Sequence, residues 1–381
     1  MKKMIQLTLS HCFVAVLATF LTLYLTGYGE YSKLLQLSDL IEGYYVETVD
    51  MTAVEDAGAN AMVSSLGDRW SYYIPASEYA AHVEQMENAY VGVGITISQR
   101  EDGQGFDILA VEKEGPAQEA GICPGDILVA AQGQPAGEMD STQLRDIVRG
   151  KEGTFVELTV LRDGQELVYS VERRSVKVTV AEGTLLEGGV GLVTIYNFDS
   201  RCAEESIAAI EMLLEQGAEM LIFDVRNNGG GYAHEMVELL DYLLPEGDLF
   251  RTVNYKGDEN VDTSDADYLD VPMAVLVNSE SYSAAELFAA ALQEYEAGIV
   301  VGTQTSGKGY YQNTFKLDDG SAVGLSTGRY FTPHGVSLEG VGITPDKEVP
   351  VDEETEMGIY YGTLAPEEDP QIQAAISALA E

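Results

Sequence analysis

The sequence predicts a multidomain α/β protein: a mainly parallel α/β core with an inserted β-rich module, a helical lead-in and an N-terminal transmembrane helix. Three observations predict it. No Asp, Glu, Lys or Arg occurs from Met4 to Gly29, a run longer than the ~20 residues a helix needs to cross a bilayer. Between residues 91 and 176 short alternating strands are punctuated by Gly, Pro and Asp, the pattern of a small β-rich module. From residue 188 onward strands alternate with helix-length segments, which argues for a parallel sheet.

Residues 1–29 read as a signal-anchor. Lys2 and Lys3 precede the apolar run, so the positive-inside rule puts the N-terminus in the cytoplasm and the chain from residue 30 onward outside. Gly27-Tyr28-Gly29 is the one weak candidate for a signal-peptidase site; a cleaved, secreted form is the alternative to an uncleaved anchor. Residues 30–90 form the helical lead-in, with Leu34, Leu35, Leu37, Leu40 and Ile41 on one face. Residues 91–176 form the β-rich module, interrupted by one amphipathic segment, Ser141–Val148, behind Asp140 as N-cap. The α/β core spans 177–351 and a C-terminal helical segment 352–381.

With 381 residues, 45% hydrophobic and 22% charged, the chain has the composition of a folded protein of two or three domains. Its 63 acidic residues against 21 basic ones give a net charge of −42, which repels phosphate backbones and excludes nucleic acid as a natural partner. Cys12, Cys123 and Cys202 make no disulfide framework; a Cys123–Cys202 pair stands beside two ordinary small hydrophobes. Four histidines, with Glu at 238 where a second zinc-binding histidine would stand after His234-Glu235, argue against a metal site and against a Ser-His-Asp triad.

In a parallel sheet the strand-to-helix turns collect at the carboxyl edge, where ligands bind. Three turns then matter: Asp199-Ser200, Arg226 to Gly231, and Asn278 to Ser283. Gly302 to Lys308 spells a phosphate-loop skeleton, but Gly309 has no hydroxyl for magnesium and YYQNTFKL reads as a strand. Ser326 in G-x-S-x-G lies in extended chain, not on a strand-to-helix elbow. Ser283 is the better nucleophile: it follows a strand and opens an alanine-rich helix whose first amides, beginning with Ala284, can donate to an oxyanion. Ser281 or Ser283 as a plain N-cap is the competing reading. Lys308, between two glycines, is a base that needs no histidine, provided desolvation lowers its pKa by about three units at a cost of about 4 kcal/mol. Gln312 stands one strand-turn away to orient the amine.

These residues resemble the carboxyl-terminal processing peptidases, or tail-specific proteases. GDRWSYYIPASEY, GPAQEAGICPGDILVAAQGQPA, LIFDVRNNGGG, SESYSAAELFAAALQ, VGTQTSGKGYYQNTFKLDDGSA, RYFTPHG, GVGITPD and DPQIQAAISAL follow in that family's order. The resemblance implies that the β-rich module is PDZ-like and that the core is a serine peptidase. It makes Ser283 the nucleophile, Lys308 the general base and Gln312 its positioning residue, with oxyanion amides from Ala284 and Gly230 and with no metal or cofactor. It also implies capture of extended peptides with apolar C-termini, with Tyr90-Val91-Gly92-Val93-Gly94 as the carboxylate loop; an ordinary glycine-rich strand entry is the other reading of that segment. Pairing of two copies through the lead-in and C-terminal segment is suggested in the same way, although apolar helical faces more often belong to a core. Two departures stand out, Gly229 where the family usually has proline and Tyr282 in place of a small residue. The first is expected to loosen the turn, the second to narrow the site. A catalytically silent adaptor that binds protein tails, or a ligand-binding α/β domain, are the competing functions.

Overall fold

The computed structural model describes residues 32–380 apart from Glu101 and Glu114, together with residues 14 and 16–18. Among the described residues no helix is long and apolar enough to cross a membrane; the predicted transmembrane segment 1–29 otherwise lies outside them. The described chain divides into two compact units, one up to Pro75 together with Thr314–Leu325, the other Ala76–Asn313 with the chain from Ser326.

The first unit carries α1 (Ser32–Tyr44), α2 (Met51–Ser64) and β1 (Tyr72–Ile74). Asp50 caps α2 by accepting from the Thr52 and Ala53 amides at 3.0 and 3.4 Å. Leu34, Leu35, Leu37 and Leu40 of α1 remain exposed. Strand β1 pairs antiparallel with residues 322–324, Tyr72 opposite Gly324, and Tyr73 donates to Asp56 at 2.7 Å.

The second unit opens with α3 (Ala76–Met86) and β2 (Ala89–Gly92). The β-rich module follows: β3 (Ile95–Gln99), β4 (Phe106–Val111), α4 (Pro116–Ala120), β5 (Ile127–Ala131), β6 (Gln134–Pro135), α5 (Ser141–Val148), β7 (Phe155–Arg162), β8 (Gln165–Glu172) and β9 (Arg174–Lys177). Its antiparallel sheet runs β3-β4-β5-β7-β8, with β6 on β5, so β3 ends the sheet; β2 and β9 pair apart from it. The alternating strands turn Phe106, Ile108, Leu128, Val156, Leu158 and Val160 into one core, onto which α5 lays Leu144 and Val148. Asp140 starts α5 as expected, its carboxylate taking the Gln143 amide at 2.9 Å while the Gln143 side chain takes the Asp140 amide at 3.0 Å. Cys123 and Cys202 are both free, one exposed and one buried.

The core adds β10 (Ala181–Leu186), β11 (Val190–Ile195), α6 (Cys202–Glu215), β12 (Met220–Asp224), α7 (Ala233–Leu243), β13 (Gly247–Asn254), β14 (Glu259–Ser264), β15 (Met273–Val277), α8 (Ala284–Glu294), β16 (Gly298–Gly302), β17 (Tyr310–Lys316), β18 (Ala322–Phe331), β19 (Lys347–Glu348), α9 (Glu353–Tyr360) and α10 (Pro370–Leu379). The main sheet runs β10-β11-β12-β15-β16-β19. It is parallel from β11 to β19, and β10 is an antiparallel edge strand. Side-chain alternation divides the apolar strands between two faces. Phe223, Val275 and Val277 meet Leu213, Leu240 and Phe288 of α6, α7 and α8; Ile222, Ala274 and Leu276 meet Ile372 and Ala375 of α10. The hairpin β13–β14 pairs through β13 with residues 328–331 of β18, a second sheet that the sequence pattern does not announce.

The two ends of the module are held by one short segment after β11. Arg201, at φ 75°, donates to the carbonyls of Glu87 (3.0 Å), Asn88 (3.2 Å) and Val178 (2.7 Å). The side-chain amides of Asn88 and Asn197 pair reciprocally at 2.9 Å, and the Ser200 amide donates to Met86 O at 3.1 Å. Replacing Arg201 by Ala removes three bonds to main chain, worth about 1 kcal/mol each. Limited proteolysis is expected to cut within residues 86–90 and 176–180 at least about tenfold faster in Arg201→Ala, with far-UV circular dichroism unchanged.

Candidate active site

The turns after β11, β12 and β15 are stitched to one another at the carboxyl edge of the sheet. The Phe198 amide donates to Gly230 O at 2.9 Å, and the Tyr232 amide to Phe198 O at 2.7 Å. Asn227 and Asn278 exchange two bonds of 2.9 Å. Ser281 donates its hydroxyl to Val225 O at 2.7 Å and is wholly buried, so this serine is a fastener of the turn. Arg226 anchors the second turn from behind, bonded to Asp224, to Asp369 at 2.8 Å and to Gln371 at 2.9 Å of the segment that starts α10.

Ser283 follows on this framework at φ 61°, ψ −123°, immediately before α8. A non-glycine residue in that region is strained by about 1–3 kcal/mol, a condition that functional sites sustain. Gly230 packs directly on it: a Cβ at 230 would stand 2.7 Å from Ser283 Cβ and 2.8 Å from the Ala284 nitrogen. Only glycine permits that approach, and its φ of +85° requires glycine as well. Ser283, Ala284 and Gly230 are thus brought together. The Gly230 amide itself donates to the buried Asn228 Oδ1 at 2.8 Å, so in this conformation the turn must rotate before that N–H reaches a substrate oxygen. The two departures from the family pattern fit each other. A Cβ at Gly229 would lie 2.6 Å from the Tyr282 hydroxyl oxygen; the ring occupies the space that glycine leaves.

A fourth loop, 303–309, reaches the same edge and carries Lys308. Its link to the nucleophile turn is a residue the motif reading passed over. Glu286, in the first turn of α8 and fully buried, accepts from the Ser283 amide (3.1 Å), the Thr305 hydroxyl (2.5 Å), the Gly307 amide (2.7 Å) and the Lys308 amide (2.9 Å). Burial pushes its carboxyl up, and these hydrogen bonds pull it back toward the charged form. The signal was present as Ser-x-x-Glu in SAAE, a capping-box pattern. Tyr330 of β18 donates its hydroxyl to Lys308 O at 2.6 Å. The half-buried Gln312 directs its amide nitrogen to Tyr310 O (3.1 Å) and Ser326 Oγ (3.0 Å).

The peptide-binding segment belongs to the module. Tyr90, Val91 and Gly92 are not loop: they form strand β2, because Arg174–Val176 of β9 pair with them residue by residue. Val93 and Gly94 make the turn proper, Gly94 at φ +75°. The Arg149 guanidinium lies over the Tyr90 ring at 4.8 Å.

Among the described residues, Asp199 carries a buried oxygen without a partner. Asp199 is 6% exposed and its Oδ1 makes no hydrogen bond. Burial, and then the nearby Glu235 carboxylate, push its carboxyl up to about 7. A carboxyl whose native pKa is raised keeps its proton when the unfolded chain has lost it, so its stabilising effect is complete below about pH 4 and is lost as pH rises through 7. Urea unfolding at pH 5 and pH 8.5 is expected to show a fall in stability of up to about 3 kcal/mol from this group, and Asp199→Asn is expected to flatten it. Glu286→Gln turns one acceptor into a donor facing amide donors; a loss of about 2–4 kcal/mol in the same unfolding measurement is expected.

Residues 189–349 match the model of peptidase family S41, and residues 108–162 match that of the PDZ domain. The probable CtpA-like serine protease of Staphylococcus epidermidis is 30% identical over 309 residues, 80% of this chain and 62% of that protein. The carboxy-terminal processing protease CtpA of Bacillus subtilis is 29% identical over 361 residues, 91% of this chain and 77% of that one. The chain thus spans less than two thirds of the length of the first of these relatives. A crystal structure of a putative S41 protease from Bacteroides fragilis has the same fold, with a TM-score of 0.53 at 16% identity, covering 91% of this chain and 97% of that one. Motif order, the stitched turns around Ser283 and both domain matches agree: residues 189–349 belong to peptidase family S41 and residues 108–162 to the PDZ domains, in a chain similar to the carboxy-terminal processing proteases.

Proposed function

We propose that this chain is a membrane-anchored serine endopeptidase that cuts extracytoplasmic proteins or peptides near apolar C-termini, with Ser283 as nucleophile and Lys308 as general base. The observation that carries the reading is the shared carboxylate of Glu286, which accepts from the main chain of both residues. In the reaction the neutral Lys308 amine takes the Ser283 hydroxyl proton as Oγ attacks the scissile carbonyl. The developing oxyanion meets the Ala284 amide at the start of α8, and the Gly230 amide once its turn has rotated. Collapse breaks the C–N bond, and the leaving amine takes the proton from Lys308. Water then attacks the acyl-serine ester as Lys308 takes its proton, and Lys308 returns that proton to Ser283 Oγ as the ester C–O bond breaks and the acid leaves. Gln312 holds the lysine side chain.

The PDZ domain supplies recognition in this reading. Strand β3 ends its sheet, so an extended peptide can add to it as a further strand while the Val93-Gly94 turn faces its carboxylate. Anchoring rests on the uncharged run from Met4 to Gly29 behind Lys2 and Lys3. The exposed apolar residues of α1 offer a contact for a second copy.

The test uses the full chain and residues 30–381 with unstructured peptides ending in an apolar residue, in the same residue amidated, or in a charged one, the products being mapped by mass spectrometry. Cleavage is expected for the free apolar end and is expected to fall below about one thousandth in Ser283→Ala and Lys308→Ala. The full chain is expected to sediment with membranes and the shorter form to stay in solution. Tail binding without cleavage, unchanged by either substitution, would replace the peptidase with a tail-binding adaptor.

A further inference from the structure

Lys308 lies between Gly307 and Gly309, a surrounding that by itself leaves its backbone free. In the structure that backbone is fastened on every side. Its amide donates to Glu286 at 2.9 Å, and the Gly309 amide donates to Glu339 at 2.7 Å. The remaining two bonds come from one residue: Tyr330 donates its hydroxyl to Lys308 O at 2.6 Å and its own amide to Gly309 O at 3.1 Å. Its hydroxyl and its amide thus hold the lysine loop at two successive carbonyls.

Packing does not call for that hydroxyl. The Tyr330 ring is 2% exposed, lies 6.0 Å from the Phe250 ring, and would fill the same space as phenylalanine. A hydroxyl buried there is costly unless bonded, and its bond goes to the main chain of the proposed base. Burial and the Glu286 carboxylate hold the phenol well above its usual range, so it stays neutral at any working pH.

We propose that Tyr330 is a positioning residue for Lys308 in the Ser283–Lys308 pair, its hydroxyl fixing the loop that presents the base to the nucleophile. This rests on the dyad reading given above. Without the hydroxyl the Gly-Lys-Gly loop loosens, the lysine amine gains water and its proton is held more tightly. The pair then needs a higher pH to act.

The experiment compares the full-length wild type, Tyr330→Phe and Phe250→Leu for peptide cleavage from pH 5 to 10, and for labelling of Ser283 by a small fluorophosphonate that needs no peptide subsite. Ser283→Ala and Lys308→Ala are run in parallel. In Tyr330→Phe, kcat and the labelling rate are expected to fall together by at least about tenfold, with KM within about twofold and the midpoint of the rising limb displaced to higher pH. Phe250→Leu, which disturbs the packing and keeps the hydroxyl, is expected to melt earlier with that midpoint unmoved. An unchanged kcat and midpoint in Tyr330→Phe, with Ser283→Ala and Lys308→Ala inactive, would overturn the role of Tyr330 alone. The same midpoint displacement in Phe250→Leu, or a Tyr330→Phe chain that does not fold, would overturn it too, because the residue would then serve packing or folding. Activity surviving in Ser283→Ala or Lys308→Ala would remove the dyad and this role with it.

Discussion

The arrangement at the sheet edge depends on one buried carboxylate. An ionised group with no exposure pays a large desolvation penalty unless its oxygens are filled with donors. Glu286 meets that condition with three amides and a hydroxyl, taken from the turn before α8 and from the loop that carries Lys308. The four donors fit only if both segments keep their positions, so meeting the carboxylate and registering the two segments are one requirement. The constraint propagates. Thr305, which gives its hydroxyl to Glu286, accepts the Ile343 amide at 2.7 Å. Gly307 packs so close to the 338–342 turn that a Cβ would stand 2.9 Å from the Val341 and Gly342 nitrogens. A loop of glycines is thereby held rigid by its surroundings.

The strain at Ser283 has the same explanation. The residue before it is fixed by the Tyr282 amide bonding Asn228 O at 3.1 Å, and the one before that by the Ser281 hydroxyl. Behind it α8 is buried from Ala284 to Leu292 and cannot shift. Its alanines let the helix lie close to β15 and β16, and Phe288 fills the gap between Phe198 and Phe223 at 5.5 and 5.3 Å. A disfavoured φ persists where its neighbours over-determine it, and here they do so from both directions.

Much of this was legible because parallel strands buried on both faces read as continuous apolar runs. MLIFD, MAVLV and GIVVG announce β12, β15 and β16. Asp140 with Gln143 announces α5 in the same local way. The second sheet was hidden because GDLFRTVN and ENVDTS are half-exposed and polar, and the pairing of the first with 328–331 is a contact across some 75 residues of chain. Glu286 was hidden for a different reason. In sequence it is a capping residue three positions after a serine, and only the fold shows that its other donors lie about 20 residues on. Gly230 was named beside Ala284 and packs against it, but no local pattern could say that Asn228, two residues back, already holds its amide.

Rigidity is therefore distributed unevenly around Ser283. The turn before α8 and the lysine loop are pinned by side chains, whereas the turn of three glycines, 229–231, has a backbone free to take other conformations and is secured by few bonds. One is the bond between the Gly230 amide and Asn228; another joins Gly230 O to the Phe198 amide. An oxyanion of full charge is a better acceptor than the neutral amide oxygen of Asn228, so in the proposed mechanism a reacting carbonyl draws the Gly230 amide across while the other groups stay in place. The segment that turn leans on, Asn197 to Arg201, is also the one that grips Asn88 and Val178 at the two ends of the PDZ module. The part of the site that the proposed mechanism requires to move is thus bonded to the residues that hold the PDZ domain.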